Sequence, residues 1–266
     1  MDIRDIREEV IYPENKALDD MYRLQKVLLD SYVVIEGLPQ YPVNVNLKSS
    51  QILIKDFVGR VIEELGEGYE SYDELMYQFS RGEKREKMLP FLQNFNEECA
   101  DALHFWLELL IYSGIEVPEI RKYLELDDSD PEQADTLVML LKAGRDIATA
   151  TLQGKTYAPA WKVIAGKIED EFMRGGNCLS IERDAKMCQL LWKATYKLQI
   201  ARNCLKNKPW KQTQMMTDEK TYRLRLMEGT IYMFGFFWFA GFTPTSLHHI
   251  YYKKNLINSF RIRSRY

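Results

Sequence analysis

NFNEECADALHFWLELL, residues 94–110, is the stretch of the sequence that decides the fold. Its apolar residues recur every three or four positions, which is the spacing of an amphipathic helix. The same stretch places Glu98 and Asp101 three residues apart at the edge of the apolar stripe, and therefore on one side of the helix. The pattern predicts a core helix that carries two carboxylates toward a neighbouring element.

A second stretch, DFVGRVIEELGEGYES at residues 56–71, repeats this arrangement with Glu64 and Glu67. Glu64 borders the apolar face of the predicted helix, whereas Glu63 points toward solvent. If the two helices pack antiparallel, four carboxylates converge. Carboxylates that are close together and partly buried raise one another's pKa and lose hydration energy, so they need cations beside them.

Oxygen ligands without nitrogen or sulfur suit Mg²⁺, with Mn²⁺ as the second choice, and Mg²⁺ in proteins usually also binds substrate phosphates. The sequence therefore predicts a metal site for phosphate chemistry whose metal ligands and catalytic acids are Glu64, Glu67, Glu98 and Asp101. The alternative is that these acids are solvated, because acids at this spacing are common on exposed helices. A di-iron bundle is disfavoured because it needs Glu-x-x-His motifs. His104 follows Asp101 by three positions, but the helical wheel places it on the outer face, facing solvent or a partner.

A basic motif lies near the C-terminus, where KNLINSFR at residues 254–261 places Lys254, Asn258 and Arg261 on one helical face. Arginine can bind a phosphate through two parallel hydrogen bonds, and lysine acts as a point charge. This face predicts a clamp for a polyphosphate. The alternative is a solvated basic tail.

The composition indicates a soluble globular protein, with 266 residues of which 46% are hydrophobic and 28% charged. The net charge of −3 provides no general attraction for nucleic acid. The apolar stretch 229–242 is short for a membrane span and predicts a core helix. We expect neither a nucleic acid nor a membrane as partner, and a cytoplasmic location, which for a viral protein would be the host cytoplasm. The scattered cysteines predict buried free thiols: Cys99, Cys178, Cys188 and Cys204.

Helical periodicity runs through the whole chain and clean strand alternation is almost absent, so the predicted fold class is all-α. The expected architecture is a helical bundle with a four-helix metal-binding core and a helical insertion. A capping box at Ser71 and Glu74 would begin a short helix, and Gly114 would end the helix of the first stretch. Asp130 and Pro131 would begin another helix, running to about residue 152. Further helices are predicted over 18–34, 159–173, 181–205, 218–239 and 245–260. The predicted regions are 1–114 with the metal-site acids, 115–245 with the insertion and bundle helices, and 246–266 with the phosphate-binding helix, in one compact domain.

The order of these motifs resembles a known family. E-x-x-E followed by E-x-x-D is similar to the all-α nucleoside triphosphate pyrophosphohydrolases, the group that contains MazG-like enzymes and the dimeric dUTPases. The dimeric dUTPase branch is the most similar. Its opening helix resembles MYRLQKVLLD at residues 21–30, and its K-N-x-x-N-x-x-R motif matches Lys254, Asn255, Asn258 and Arg261. The resemblance covers about residues 18–35, 54–113 and 247–261.

This resemblance implies Mg²⁺-dependent hydrolysis of dUTP to dUMP and pyrophosphate by a homodimer. It implies that Gln25 contacts the uracil and that the C-terminal motif binds the substrate. The segment DSYVVIEGLPQYP at residues 30–42 lacks the family's Thr-Asn-Gly sequence and its tryptophan. Hydrolysis of dCTP or of a modified deoxynucleotide is therefore an alternative. A nucleotide sensor without turnover and a helical interaction protein are alternatives from other functional classes.

Overall fold

A computed structural model of the chain describes residues 10–151, 181–208 and 210–264. These ranges contain eight α-helices and one short 3-10 helix. No strand occurs within these ranges, so the all-α prediction is confirmed. The helix predicted over 159–173 lies outside the described residues. The helices are α1 (Ala17–Glu36), α2 (Lys48–Ser80), α3 (Arg85–Tyr112), α4 (Val117–Tyr123), the 3-10 helix (Pro131–Gln133), α5 (Thr136–Thr151), α6 (Ile181–Cys204), α7 (Glu219–Ala240) and α8 (Pro244–Ser264).

Helices α2 and α3 form an antiparallel hairpin. The Asn94 side-chain amide donates a 2.7 Å hydrogen bond to the Ser71 hydroxyl, and the Arg60 guanidinium lies 5.3 Å from the centre of the Phe105 ring. Residue numbers rise along one helix as they fall along the other, so the two acidic stretches lie opposite each other. This is the arrangement that the two sequence patterns require.

The predicted capping box at Ser71 and Glu74 is wrong. Ser71 lies in the interior of α2, which continues without a break to Ser80, and its side chain is buried. Its hydroxyl bonds to α3 instead of capping a new helix. A glycine in a helix interior costs about 1 kcal/mol relative to alanine. The packing of α2 against α3 offsets this cost, so the glycines in this stretch do not end the helix.

One predicted helix end agrees with the structure, and one predicted helix start agrees only in part. Helix α3 ends before Gly114, whose positive φ of 64° is a backbone conformation that glycine adopts without strain. Asp130 accepts a hydrogen bond from the Glu132 amide at the start of the 3-10 helix, with Pro131 in its first turn. The α-helix itself begins only at Thr136, five residues later than Pro131.

Helices α1 and α8 cover the side of α3 that the hairpin leaves open. The Tyr251 hydroxyl of α8 lies 2.8 Å from the Met21 carbonyl oxygen of α1, and its ring stacks on His104 of α3 with 4.4 Å between the ring centres. The prediction that His104 faces solvent or a partner is therefore wrong. His104 is buried because α3 is enclosed from both sides in its C-terminal half.

The apolar stretch of residues 229–242 forms the C-terminal half of α7 and the two residues after it, and it lies in the core, as predicted. Phe234, Phe236, Phe237 and Phe239 are fully buried, whereas Tyr232 and Trp238 are partly exposed. Helices α5 and α7 cross at Gly144 and Gly235, where a Cβ atom on Gly144 would come within 2.5 Å of the Gly235 amide nitrogen. Only glycine permits that approach. In the described ranges, no helix combines the length and the apolar character that a membrane crossing requires.

The cysteine prediction is confirmed in part. Cys99 and Cys204 are buried free thiols, but Cys188 is exposed on α6, and Cys178 lies outside the described residues. Exposure of Cys188 follows from its place on the outward face of α6, which the scattered spacing of the cysteines did not reveal.

Candidate functional site

Three acidic side chains meet between α2 and α3. Glu64, Glu67 and Glu98 each place one carboxylate oxygen within 4.8 Å of the others. Glu64 and Glu98 are half-buried and Glu67 is exposed. The adjacent Glu63 faces solvent, as its position on the helical wheel predicts. The antiparallel hairpin thus gathers three of the four predicted acids on one side of the bundle.

The fourth predicted acid has a different neighbour. Asp101 Oδ2 lies 2.6 Å from the Lys254 ammonium of α8, and the two side chains are 22% and 10% exposed. Asp101 does not belong to the group of acids whose carboxylate oxygens all lie within 4.8 Å of one another. The structure therefore joins the predicted acidic site to the predicted phosphate clamp through this ion pair.

Burial and mutual repulsion make the carboxyl groups hold their protons tightly. The pKa of Glu64 is raised to about 8, mainly by burial and then by the Asp101 charge and a hydrogen bond with Glu98. Burial also raises the pKa of Glu98, and Asp101 adds to that effect while the hydrogen bond with Glu64 opposes it. Burial raises the pKa of Asp101 although Lys254 opposes the rise. A cation at this site would relieve the repulsion.

Mg²⁺ or Mn²⁺ fits the donor atoms that the structure brings together. All three ligand groups are carboxylates, which are the hard oxygen donors that these ions prefer. Two of the three are partly removed from water, and their pKa values are raised first by that burial and then by the negative charge of neighbouring acids.

A cavity of about 360 Å³ adjoins the acids. This volume lies within the range of small-molecule sites. Glu64 and Asp101 line it from the hairpin, and Lys254, Asn258 and Arg261 line it from α8. Apolar side chains from α1, α2 and α3 complete the wall: Leu28, Leu29, Leu53, Phe57 and Phe105. The cavity therefore has an acidic side, a basic side and an apolar wall.

The C-terminal motif divides between the cavity and the core. Lys254, Asn258 and Arg261 line the cavity from the common helical face that their spacing predicts. Asn255 does not line it. That side chain is buried, and its amide lies 3.5 Å from the Tyr251 hydroxyl. Three of the four motif residues are thus placed to contact a ligand, and Asn255 contacts the residue that packs behind the cavity.

Gln25 lies behind the cavity wall and does not line the cavity. It is fully buried, and its amide nitrogen donates a 2.9 Å hydrogen bond to Glu108 Oε1. Its amide oxygen lies 2.9 Å from the Tyr251 hydroxyl. Both ends of the amide are therefore engaged by protein groups. Gln25 is therefore connected to the cavity indirectly, by its hydrogen bond to the lining residue Glu108.

Glu108 is a cavity residue that the sequence patterns did not single out. It is only 7% exposed and lines the cavity from α3. Burial raises its pKa to about 7, although the Arg60 charge and the Gln25 hydrogen bond oppose the rise. A signal was present in the sequence, because Glu108 follows Asp101 by seven residues, which is two turns along the same face of a helix.

His104 also lines the cavity, and it is uncharged there. Burial lowers its pKa to about 3, and the positive charge of Lys254 acts in the same direction. Its Nε2 lies 3.3 Å from the Tyr251 carbonyl oxygen, while its Nδ1 is buried without a hydrogen-bond partner. A neutral imidazole adds no positive charge to the basic side of the cavity, which leaves that role to the cations of α8.

Without a divalent cation, the protein is expected to lose stability as the pH rises from about 5 to about 8. The pKa of Glu64 is about 8 in the folded protein against an ordinary value of 4.5, so the folded state binds this proton more tightly. The resulting stabilisation is present below the ordinary pKa and is lost as the pH rises through the folded one. We expect a loss of about 2 kcal/mol, less than the full pKa difference gives, because Glu64 is partly solvated.

Thermal unfolding in EDTA at several pH values would measure this loss. Mg²⁺ should restore the stability at the upper end of the range, because it replaces the missing proton charge. The Glu64→Gln variant should unfold with a much weaker dependence on pH. A variant that keeps the full dependence of the wild type would show that Glu64 is not its source.

Comparison with family models, with curated proteins and with solved structures finds no match to this chain. The resemblance to the all-α nucleoside triphosphate pyrophosphohydrolases therefore stays a prediction.

Proposed function

We propose that this protein is a Mg²⁺-dependent hydrolase that releases pyrophosphate from a deoxynucleoside triphosphate. The observation that supports this most strongly is that one cavity has carboxylates on one side and the α8 cations on the other, with Asp101 and Lys254 paired between them. A triphosphate carries negative charge that suits both sides, since cations bind it directly and acids bind it through metal ions.

Different residues of the cavity would bind the metal ion, bind the phosphates and accept a proton. Glu64, Glu67 and Glu98 would hold the metal ion, which neutralises charge on the phosphates and favours loss of a proton from water. Lys254 and Arg261 bind phosphate oxygens, and Asn258 can donate from its amide. The apolar wall holds the nucleoside away from bulk water. Among the three grouped acids, Glu64 lines the cavity, so it is placed to accept a proton from the attacking water.

The overall reaction is a substitution at phosphorus. The oxygen of water forms a bond to the α-phosphorus, the bond from that phosphorus to the bridging oxygen breaks, and pyrophosphate leaves. The water proton passes to a carboxylate. The resemblance implies dUTP as the substrate, dUMP as the product and a homodimer as the assembly, and these three statements stay predictions.

The experiment that tests the proposal is an assay of pyrophosphate release. The purified protein is incubated with dUTP, dCTP, dTTP, dATP or dGTP, in Mg²⁺, in Mn²⁺ and in EDTA. We expect release from at least one nucleotide in Mg²⁺ and none in EDTA. Binding of a nucleotide without any release would favour a sensor. Neither binding nor release would favour an interaction protein and would contradict the proposal.

A further inference from the structure

Glu108 is the only acid deep in the cavity that lies away from the grouped acids and the Asp101–Lys254 pair, among the residues that the structure describes. Its Oε1 accepts a hydrogen bond from Gln25, and no described side chain bonds to its Oε2. A buried carboxylate with a free oxygen is costly unless a donor reaches it. Because Glu108 lines the cavity, a bound molecule can supply that donor.

Gln25 orients the Glu108 carboxylate and occupies one of its two oxygens. The amide is held between the Tyr251 hydroxyl and Glu108, and it directs its N–H toward the carboxylate. In its ionised form, the Glu108 carboxylate that accepts this bond still has acceptor lone pairs and no hydrogen of its own. Gln25 is therefore a positioning residue, and Glu108 is the group that contacts the ligand.

Asp101 and Glu108 line the cavity at two positions that are well separated along α3. Asp101 and Glu108 are seven residues apart, which corresponds to about 10 Å along a helix axis. A deoxynucleoside with its first phosphate spans a length of this order. With the phosphates beside Lys254 and Arg261, the base lies toward Glu108 and against the apolar wall.

We propose that Glu108 selects a nucleobase that carries an exocyclic amino group, which is a property of cytosine, adenine and guanine. The proposal rests on the proposed function in one respect, which is that a nucleotide occupies this cavity. An amino group donates hydrogen bonds to a carboxylate. Uracil and thymine present carbonyl oxygens on both sides of their single N–H, and those oxygens repel a carboxylate. The base preference therefore differs from the one that the family resemblance implies.

Glu108→Gln tests the proposal because it keeps the shape of the side chain and removes its negative charge. Pyrophosphate release from the five deoxynucleotides is measured for the wild type, for this variant and for Glu36→Gln. Glu36 lines the same cavity but is exposed, so it controls for the loss of one charge. We expect the wild type to prefer at least one amino-bearing nucleotide over dUTP and dTTP, on the order of 10- to 100-fold in kcat/KM.

The Glu108→Gln variant should lose that preference, since an amide also donates to carbonyl oxygens. The Glu36→Gln variant should keep it. If the wild type prefers dUTP or dTTP over all three amino-bearing nucleotides, the inference is wrong while the hydrolase proposal stands. This ranking of the wild type decides the matter even if the Glu108 variant fails to fold.

Binding of the five deoxynucleoside monophosphates, measured by isothermal titration calorimetry, separates the inference from the proposed reaction. Monophosphates cannot release pyrophosphate, so their ranking depends on binding alone. Tighter binding of an amino-bearing monophosphate by the wild type, lost in Glu108→Gln, supports the inference even if no triphosphate is hydrolysed. Equal binding of all five, or no binding of any, overturns it.

Discussion

Replacing Glu64 with glutamine is expected to lower the rate of pyrophosphate release by on the order of 10³-fold and to leave the helical fold intact. The substitution keeps the size of the side chain but removes one negative charge from the three acids that would hold the metal ion. It also removes the proton acceptor on the cavity wall. The fold should persist because an amide is less costly to bury than a carboxylate.

Steady-state kinetics in Mg²⁺ and circular dichroism measure the two effects. Glu63→Gln is the matched control, since Glu63 is the adjacent acid on α2 and is exposed to solvent. The control should retain the activity of the wild type. Full activity in Glu64→Gln would remove the metal site from the mechanism. A loss of helix content would mean that the variant tests stability and not chemistry, and Glu98→Gln would then take its place.

Replacing Lys254 with methionine is expected to lower kcat/KM on the order of 10²-fold and to destabilise the protein by about 3 kcal/mol. Lys254 forms the 2.6 Å ion pair with Asp101, and both side chains are largely removed from solvent. Methionine preserves most of the apolar stem but leaves the carboxylate of Asp101 without its cation. Removal of one partner from a buried pair costs more than removal of both.

Thermal unfolding of the double variant Lys254→Met/Asp101→Asn therefore distinguishes the ion pair from general packing. The double variant should recover much of the stability that the single variant loses, while its activity stays low. Lys253→Met is the control. Lys253 is the adjacent lysine on α8, and among the described residues it forms no ion pair, whereas Lys254 pairs with Asp101. Equal unfolding temperatures for the Lys254 and Lys253 variants would contradict this account.

The gathering of Glu64, Glu67 and Glu98 could be predicted from the sequence because it depends on local features. Each acid lies at the edge of an apolar stripe, and a short turn connects the two helices, so an antiparallel arrangement is the simplest one. The face of α8 that carries Lys254 and Arg261 could be predicted in the same way. Helical spacing determines which residues share a face, and it needs no knowledge of the partner helix.

The positions of His104 and Glu108 could not be predicted in this way. A helical wheel assigns polar residues to solvent, and this assumption fails for the C-terminal half of α3, which is covered on both sides. The contacts that cover it come from far along the chain, as the stacking of His104 on Tyr251 demonstrates. Which helix faces Asp101, and hence its pairing with Lys254, depends on the same distant packing.

The pairing of Asp101 with Lys254 also has a consequence for folding during synthesis on the ribosome. The two residues are 153 positions apart (254 − 101), so the acidic hairpin emerges long before α8 has been synthesised. Until then the nascent chain holds its acids without the lysine and the arginine that complete the cavity. Contacts between distant segments also form late, because closing a long loop costs chain entropy. Ribosome-bound intermediates should therefore acquire the helices of the hairpin early, and their capacity to bind a nucleotide only after α8 has emerged.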